Sequence, residues 1–322
     1  MDVCLSNELL SRYANKCQGA AAPTVSALRV LRRTLNFMEV LYGLHPVEEA
    51  LKVGKRRFDH VLVARERQDS RLARLVAQCR QAGVRVLEQP REQLTHTAKT
   101  PAHQGVVAFV RPQEFLSIED LFVPPAGSPG TARLMLALDG VEDPQNLGAL
   151  LRVADGAGVD GVILTERRSA PLSPAAVKAS SGAAEHLRIA RVVNLVRALE
   201  DLKQHNLWIV GLDASIAERG LTDYDQFDLT GDLVIVLGRE GAGLHDLVRR
   251  TCDHLLRIPM AGGVSSLNVS AAGAVVLFEA ARQRRAAGSP TSLVQKSAPR
   301  SGVACNAPYS GAKQKMQKGL GS

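Results

Sequence analysis

The spacing of apolar positions changes period several times along the chain, and each change marks an element. Between residues 40 and 110, Val40–Tyr42 reads as a strand and Pro46–Val53 as a helix opening on proline. Phe58–Ala64 reads as a strand, and Ser70–Ala82 as a helix capped by Ser70 and closed at Gly83. Val84–Leu87 is a further strand, followed by a polar loop and the strand Gly105–Val110. Residues 132–285 repeat strand and helix more regularly. Their strands are Leu134–Leu138, Val159–Thr165, Leu207–Gly211, Leu233–Leu237 and Leu255–Ile258, with a short candidate at His186–Ala190. Helices fill the gaps, and a long apolar one spans Leu267–Arg284. Nearly continuous apolar strands separated by helices indicate an α/β fold with a parallel sheet covered on both faces.

Punctuation between these blocks sets the expected domains. Residues 1–37 have weak periodicity, and Met38 directly precedes the first strand. They read as an extension, or as an upstream mis-start with Met38 the true beginning. Residues 38–112 form a small α/β unit. Pro112 and the run Pro124-Pro125-Ala126-Gly127-Ser128-Pro129-Gly130 mark a linker over 113–131. The larger unit spans 132–285, and residues 286–322 turn to Gly, Ser, Pro, Ala, Lys and Gln without an acid, the composition of a disordered tail.

Charge adds a direction to this layout. The 322-residue chain carries a net charge of +8, but unevenly. Residues 38–112 hold 13 basic and 8 acidic side chains, whereas 113–285 hold 17 and 22. The tail from 286 holds 5 basic residues. A basic module joined to an acidic one suits a polyanion-binding appendage on an enzyme, with a solvated, accidentally asymmetric surface as the plainer alternative. No apolar run approaches the ~18 residues of a membrane span, and no secretory apolar stretch opens the chain. The five cysteines are scattered and never form a C-x-x-C pair, which argues against a disulfide framework or zinc site and for a reducing, cytoplasmic setting.

Familiar nucleotide and metal motifs fail on context. Gly156-Ala-Gly158-Val-Asp-Gly161 has the spelling of a dinucleotide fingerprint, but a helix precedes it and a strand follows. It reads as a helix terminus and turn. No Walker A sequence, H-E-x-x-H or metal-spaced His/Cys cluster is present, so no metal is expected.

Three loops remain, each at the carboxyl end of a strand, where open α/β sheets bind ligands. The first runs from Asp139 to Arg152. Asp143 is a natural cap and Pro144 a natural first helical residue, while Leu147, Leu150, Leu151 and Ala154 form the buried face. Arg152 lies about 140° around the helix from Leu147, off that face. Asn146 sits in the first turn beside free amides, where a phosphate or sugar is easily held. A surface Arg152 paired with Asp155 is the simpler alternative. The second loop, Leu237-Gly238-Arg239-Glu240-Gly241-Ala242-Gly243, combines three glycines with one carboxylate. It reads equally as a ligand loop or a plain turn. The third, Ile258 to Ser270, offers apolar edges at Ile258, Met260 and Leu267 for a flat adenine. Its Ser266 or Asn268 doubles as a helix cap.

In this order, N-x-G-x-x-x-R, L-G-x-E-G-x-G and I-P-M-x-G-x-V-S-S-L-N-V-S resemble the SpoU (TrmH) branch of the SPOUT methyltransferases. Upstream, Leu41-Tyr42-Gly43-Leu44-His45-Pro46-Val47 and His103-Gln104-Gly105 are similar to the L30e-like RNA-binding domain of bacterial 23S rRNA guanosine-2′-O-methyltransferases. The resemblance implies a trefoil-knotted parallel sheet, S-adenosylmethionine as cofactor, a homodimer, and an RNA partner rather than DNA. Carried over by position, Gly238, Ile258 and Leu267 would hold the cofactor. Asn146, Arg152, Glu240, Ser266 and Asn268 would form the reacting site. A guanidinium stays protonated, so Arg152 is expected to clamp a phosphate and stabilise developing alkoxide charge rather than act as base. The cluster Lys55, Arg56 and Arg57 is expected to grip RNA phosphates. The motifs do not identify the RNA: a tRNA ribose methyltransferase and a non-catalytic RNA-binding or ribosome-assembly protein are the rival expectations.

Overall fold

The structure is a computed structural model that describes residues 38–123, 132–213 and 221–288. The expectations for residues 1–37, for the Pro/Gly run at 124–130 and for the tail beyond 288 lie outside the described residues.

Residues 38–110 build a four-stranded sheet from β1 (Glu39–Tyr42), β2 (Phe58–Ala64), β3 (Arg85–Gln89) and β4 (Val106–Val110), in the order β1-β4-β2-β3. Strand β4 runs antiparallel to β1 and β2, whereas β3 is parallel to β2. Helices α1 (Leu44–Val53) and α2 (Ser70–Gln81) cover one face through Val47, Ala50, Leu72 and Leu75. Helix α3 (Arg91–Ala98) closes the other through Leu94, packed with Leu62 and Val107. The polar-loop expectation missed α3, because a one-leucine helix shows too little apolar periodicity to announce itself. The cap of α2 is also one residue earlier than expected. Asp69 accepts from the Arg71 and Leu72 amides, so Ser70 is the first helical residue.

After α4 (Ile118–Phe122), the chain forms seven parallel strands: β5 (Leu134–Leu138), β6 (Gly161–Thr165), β7 (Ile189–Val192), β8 (Trp208–Leu212), β9 (Thr222–Asp223), β10 (Leu233–Leu237) and β11 (His254–Arg257). Their order is β7-β6-β5-β10-β8-β11-β9. Every residue of β5 and β10 is buried, as their unbroken apolar runs require in a sheet sandwiched between helices. Leu134, Leu136, Leu138, Ile235 and Leu237 face α5 (Pro144–Ala157) and α9 (Val269–Ala286). Met135, Ala137, Val234 and Val236 face α7 (Leu195–Gln204) and α8 (Asp246–Thr251). The short α6 (Pro174–Ala179) lies against α5, so closely that a Cβ on Gly148 would overlap Ala179 and the Ala176 carbonyl. Gly158 ends α5 at φ 77°, the turn expected in place of a dinucleotide fingerprint.

The two sheets meet through charge, and here one expectation is corrected. Arg56 is not a free phosphate grip. It is only 6% exposed, and its Nε donates to Glu185 at 2.8 Å across the seam. Its remaining nitrogens reach Glu39 and Gln113. His186 pairs with Glu49 at 2.9 Å, and Lys178 reaches the Ala102 carbonyl while lying over the Tyr42 ring. Burial raises the Glu185 carboxyl above its ordinary range despite the nearby guanidinium. No described helix is long and apolar enough to cross a membrane.

Candidate active site

Three loops converge at the carboxyl ends of β5, β10 and β11, each fixed by its own local chemistry. At the start of α5, Asp143 accepts from the Gln145 and Asn146 amides, and Pro144 fills the first helical position. This cap sets Asn146 in the first turn, 9% exposed. After β10, Arg239 and Gly243 exchange backbone hydrogen bonds of 2.9 and 3.0 Å, closing a tight loop with Glu240 at its tip. Gly238 is required there. A Cβ on it would overlap the Gly243 carbonyl and the Leu244 amide, so only glycine lets the loop fold back on the strand end. Asp139, at the end of β5, ties this loop down by accepting from the His245 amide at 2.7 Å and from its ring Nδ1 at 2.9 Å. At the third loop, Asn268 caps α9 by accepting from the Ser270 amide at 2.9 Å.

The three loops are joined by side chains. Asn146 Nδ2 donates to Glu240 Oε2 at 3.1 Å. Asn268 Nδ2 donates both to Asn146 Oδ1 at 2.9 Å and to Glu240 Oε1 at 3.1 Å. Residues 94 and 122 positions away from Asn146 thus meet it in one closed amide–carboxylate ring. Asn268 is cap and site residue at once.

Beside the ring lies a cleft of about 250 Å³, walled by Leu212, Leu237, Ile258, Met260, Leu267 and Val269. Gly238, Arg239, Ser266 and Ala272 also line it, with Asp213 and Glu240 as its carboxylates. Asp213 is paired with Arg249 at 2.9 Å. Apolar walls, backbone from a glycine loop and two carboxylates suit a ligand with a flat aromatic base and a cationic centre. Cys252, packed against Gly211 of β8, is no nucleophile: burial pushes its thiol up to about 12.

Of the residues singled out from sequence, Asn146, Glu240 and Asn268 are hydrogen-bonded together, and Gly238, Ile258, Leu267 and Ser266 line the cleft. Arg152 stands apart from them within the chain. Its exposed guanidinium donates from Nη1 to Ser181 Oγ at 3.3 Å, toward the seam with the small sheet, where Gly182 lies against Glu49 and His45. The Asp139–His245 tether was not anticipated, because 106 positions separate its partners and neither stands in a recognisable motif.

Comparison with known proteins places this geometry in context. Residues 133–278 match the SpoU rRNA Methylase family, and residues 40–116 match the family described as RNA 2′-O ribose methyltransferase substrate binding. The chain is 44% identical over 250 residues to the 23S rRNA (guanosine-2′-O-)-methyltransferase RlmB of Vibrio vulnificus, covering 77% of this chain and 98% of that protein. It is 43% identical over 246 residues to the Escherichia coli enzyme of the same name, covering 76% and 99%. Among solved structures, the SpoU methyltransferase AviRb from Streptomyces viridochromogenes in complex with AdoMet aligns with TM-score 0.65 and 26% identity, over 79% of this chain and 94% of that one. An AdoMet-bound rRNA methyltransferase from Sinorhizobium meliloti aligns with TM-score 0.61 and 29% identity, over 78% and 89%.

Proposed function

We propose that this chain, which belongs to the SpoU rRNA methylase family, methylates the ribose 2′-oxygen of a guanosine in large-subunit rRNA with S-adenosylmethionine as donor. The observation that carries the reading is the ring of Asn146, Glu240 and Asn268 beside an apolar cleft, each member on a family motif. When bound, S-adenosylmethionine supplies an electrophilic methyl on a sulfonium. The cleft fits it: Ile258, Met260 and Leu267 offer apolar surface for adenine, and Glu240 and Asp213 offer negative charge near a cation. Gly238, Ile258 and Leu267 would hold this cofactor.

The chain's own residues then work by placement. Asn146, Glu240 and Asn268 fix one another, so the loops that bound the cleft keep a single geometry and the ribose hydroxyl meets a preorganised surface. Ser266, exposed on the cleft rim, offers a hydroxyl to the sugar. Arg152 clamps the adjacent phosphate and offsets charge as the 2′-oxygen loses its proton to solvent. The sheet of residues 38–110 sets substrate choice through its remaining basic residues. Lys55 and Arg57 are exposed there, and Arg56 holds the seam. We place the enzyme in the cytoplasm as a homodimer with the knotted topology of its family. Phe278, 47% exposed on α9 and beside Gly156 of α5, supports an apolar contact between copies.

The test is incubation with radiolabelled S-adenosylmethionine and separate rRNA and tRNA pools, followed by nucleoside analysis. Label recovered as 2′-O-methylguanosine from large-subunit rRNA is the expected result. Label confined to tRNA would replace the substrate, and label in neither pool would favour a binding protein.

A further inference from the structure

We infer that Arg239 anchors the carboxylate at the amino-acid end of S-adenosylmethionine, an inference that rests on the methyl-donor reading above and adds the residue that holds that end. Arg239 stands between Gly238 and Glu240 in the cleft wall, and its backbone is locked by the paired hydrogen bonds to Gly243. Its stem lies across Gly140, with Cγ 2.8 Å and Cδ 3.1 Å from where a Cβ on that glycine would stand. The arginine therefore occupies space left only because residue 140 has no side chain. Its Nε is enclosed and has no hydrogen-bond partner among the described residues.

The neighbouring basic side chains are committed elsewhere. Arg249 is held by Asp213 at 2.9 Å, and His245 by Asp139 at 2.9 Å. Both oxygens of Asp139 accept from His245, and both oxygens of Glu240 accept from the asparagines of the ring. Among the residues lining the cleft, Arg239 alone is basic. An enclosed N–H without an acceptor is costly, and it is tolerated where a ligand supplies the missing oxygen. A guanidinium suits a carboxylate best, since its fork matches both oxygens. The donor's amino-acid end carries such a carboxylate, and its cationic centres suit Asp213 and Glu240. An RNA phosphate presents related chemistry, but its proposed clamp, Arg152, lies away from the cleft toward Ser181, whereas Arg239 stands in the cleft wall.

The experiment is titration calorimetry on the full chain with S-adenosylmethionine and with its decarboxylated analogue, for the wild type, Arg239→Gln and Arg239→Lys. Arg239→Gln should weaken S-adenosylmethionine about 10- to 100-fold while leaving the decarboxylated analogue within about twofold. Arg239→Lys should recover part of the loss, and both variants should melt near the wild-type temperature. Equal loss for the two ligands would overturn the inference by assigning Arg239 to the shape of the cleft. Unchanged cofactor affinity with a raised KM for RNA and a shallower salt dependence would overturn it in favour of a phosphate contact. A wild-type protein that binds neither ligand would overturn the methyltransferase reading itself, before any variant is compared.

Discussion

Arg152 and Asn146 share one helix, six residues apart, yet they serve different surfaces. Asn146 is held in the ring with Glu240 and Asn268, while Arg152 turns outward to Ser181. Its guanidinium is exposed, as the phosphate clamp proposed for it requires. Arg152→Lys should therefore retain part of the methyl-transfer rate with an unchanged pH optimum. A rate limb that followed the new ammonium's titration would instead assign this position to proton abstraction. At this scale the chain was legible where a residue sits in a motif. Asn146, Glu240 and Asn268 stood out by their place in motifs that resemble a known family, whereas Asp139 and His245 did not. Their bond depends on two loops meeting, which no local pattern encodes.

Among elements, α9 carries the most information about how stability and chemistry are divided. Asn268 caps it through Oδ1, and the same side chain donates through Nδ2 to Asn146 and Glu240. The two roles separate by substitution. Asn268→Ala removes both, and loss of the cap alone is expected to lower stability by about 1 kcal/mol. Asn268→Asp keeps the cap but replaces a donor with a carboxylate facing Glu240. It should unfold within about 0.5 kcal/mol of Asn268→Ser, yet lose methyl transfer far more severely, as urea unfolding and single-turnover rates would show. The expected start at Leu267 was two residues early, because the apolar run continues through a loop residue that lines the cleft instead. At the other end of α9, Arg284 donates to the carbonyls of Leu229, Ala132, Arg133 and Gly231, fastening the helix to the amino-terminal edge of the sheet. Burial lowers its pKa, and the carboxylates of Asp160 and Asp232 oppose the shift.

For the whole molecule, the seam between the sheets governs how the basic module is presented. Sequence reading gave that module its charge but not its attachment, because a K-R-R cluster looks the same whether solvated or buried. Arg56 is buried between Glu39 and Glu185, so Arg56→Met should cost about 3–5 kcal/mol by leaving buried carboxylate unpaired. Adding Glu185→Leu should restore much of that stability in thermal unfolding. Glu185 also sets a pH dependence. Its pKa is raised on folding, so the folded chain holds a proton longer than the unfolded chain. The penalty is absent below the ordinary carboxylate range and grows as pH rises through the elevated value. Glu185→Gln should flatten that slope.

The strand order carries a consequence for synthesis. β10 is the tenth strand to be made but lies at the heart of the large sheet, wedged between β5 and β8. Until residue 237 has left the ribosome, β5 and β8 each present to solvent the backbone edge that β10 will pair. β5 ends at Leu138 and β8 at Leu212, so the β5 edge must stay unmated through most of the synthesis of the large sheet and both edges must be kept apart until Leu237 is made. Folding of this enzyme is thus gated by the arrival of one late segment.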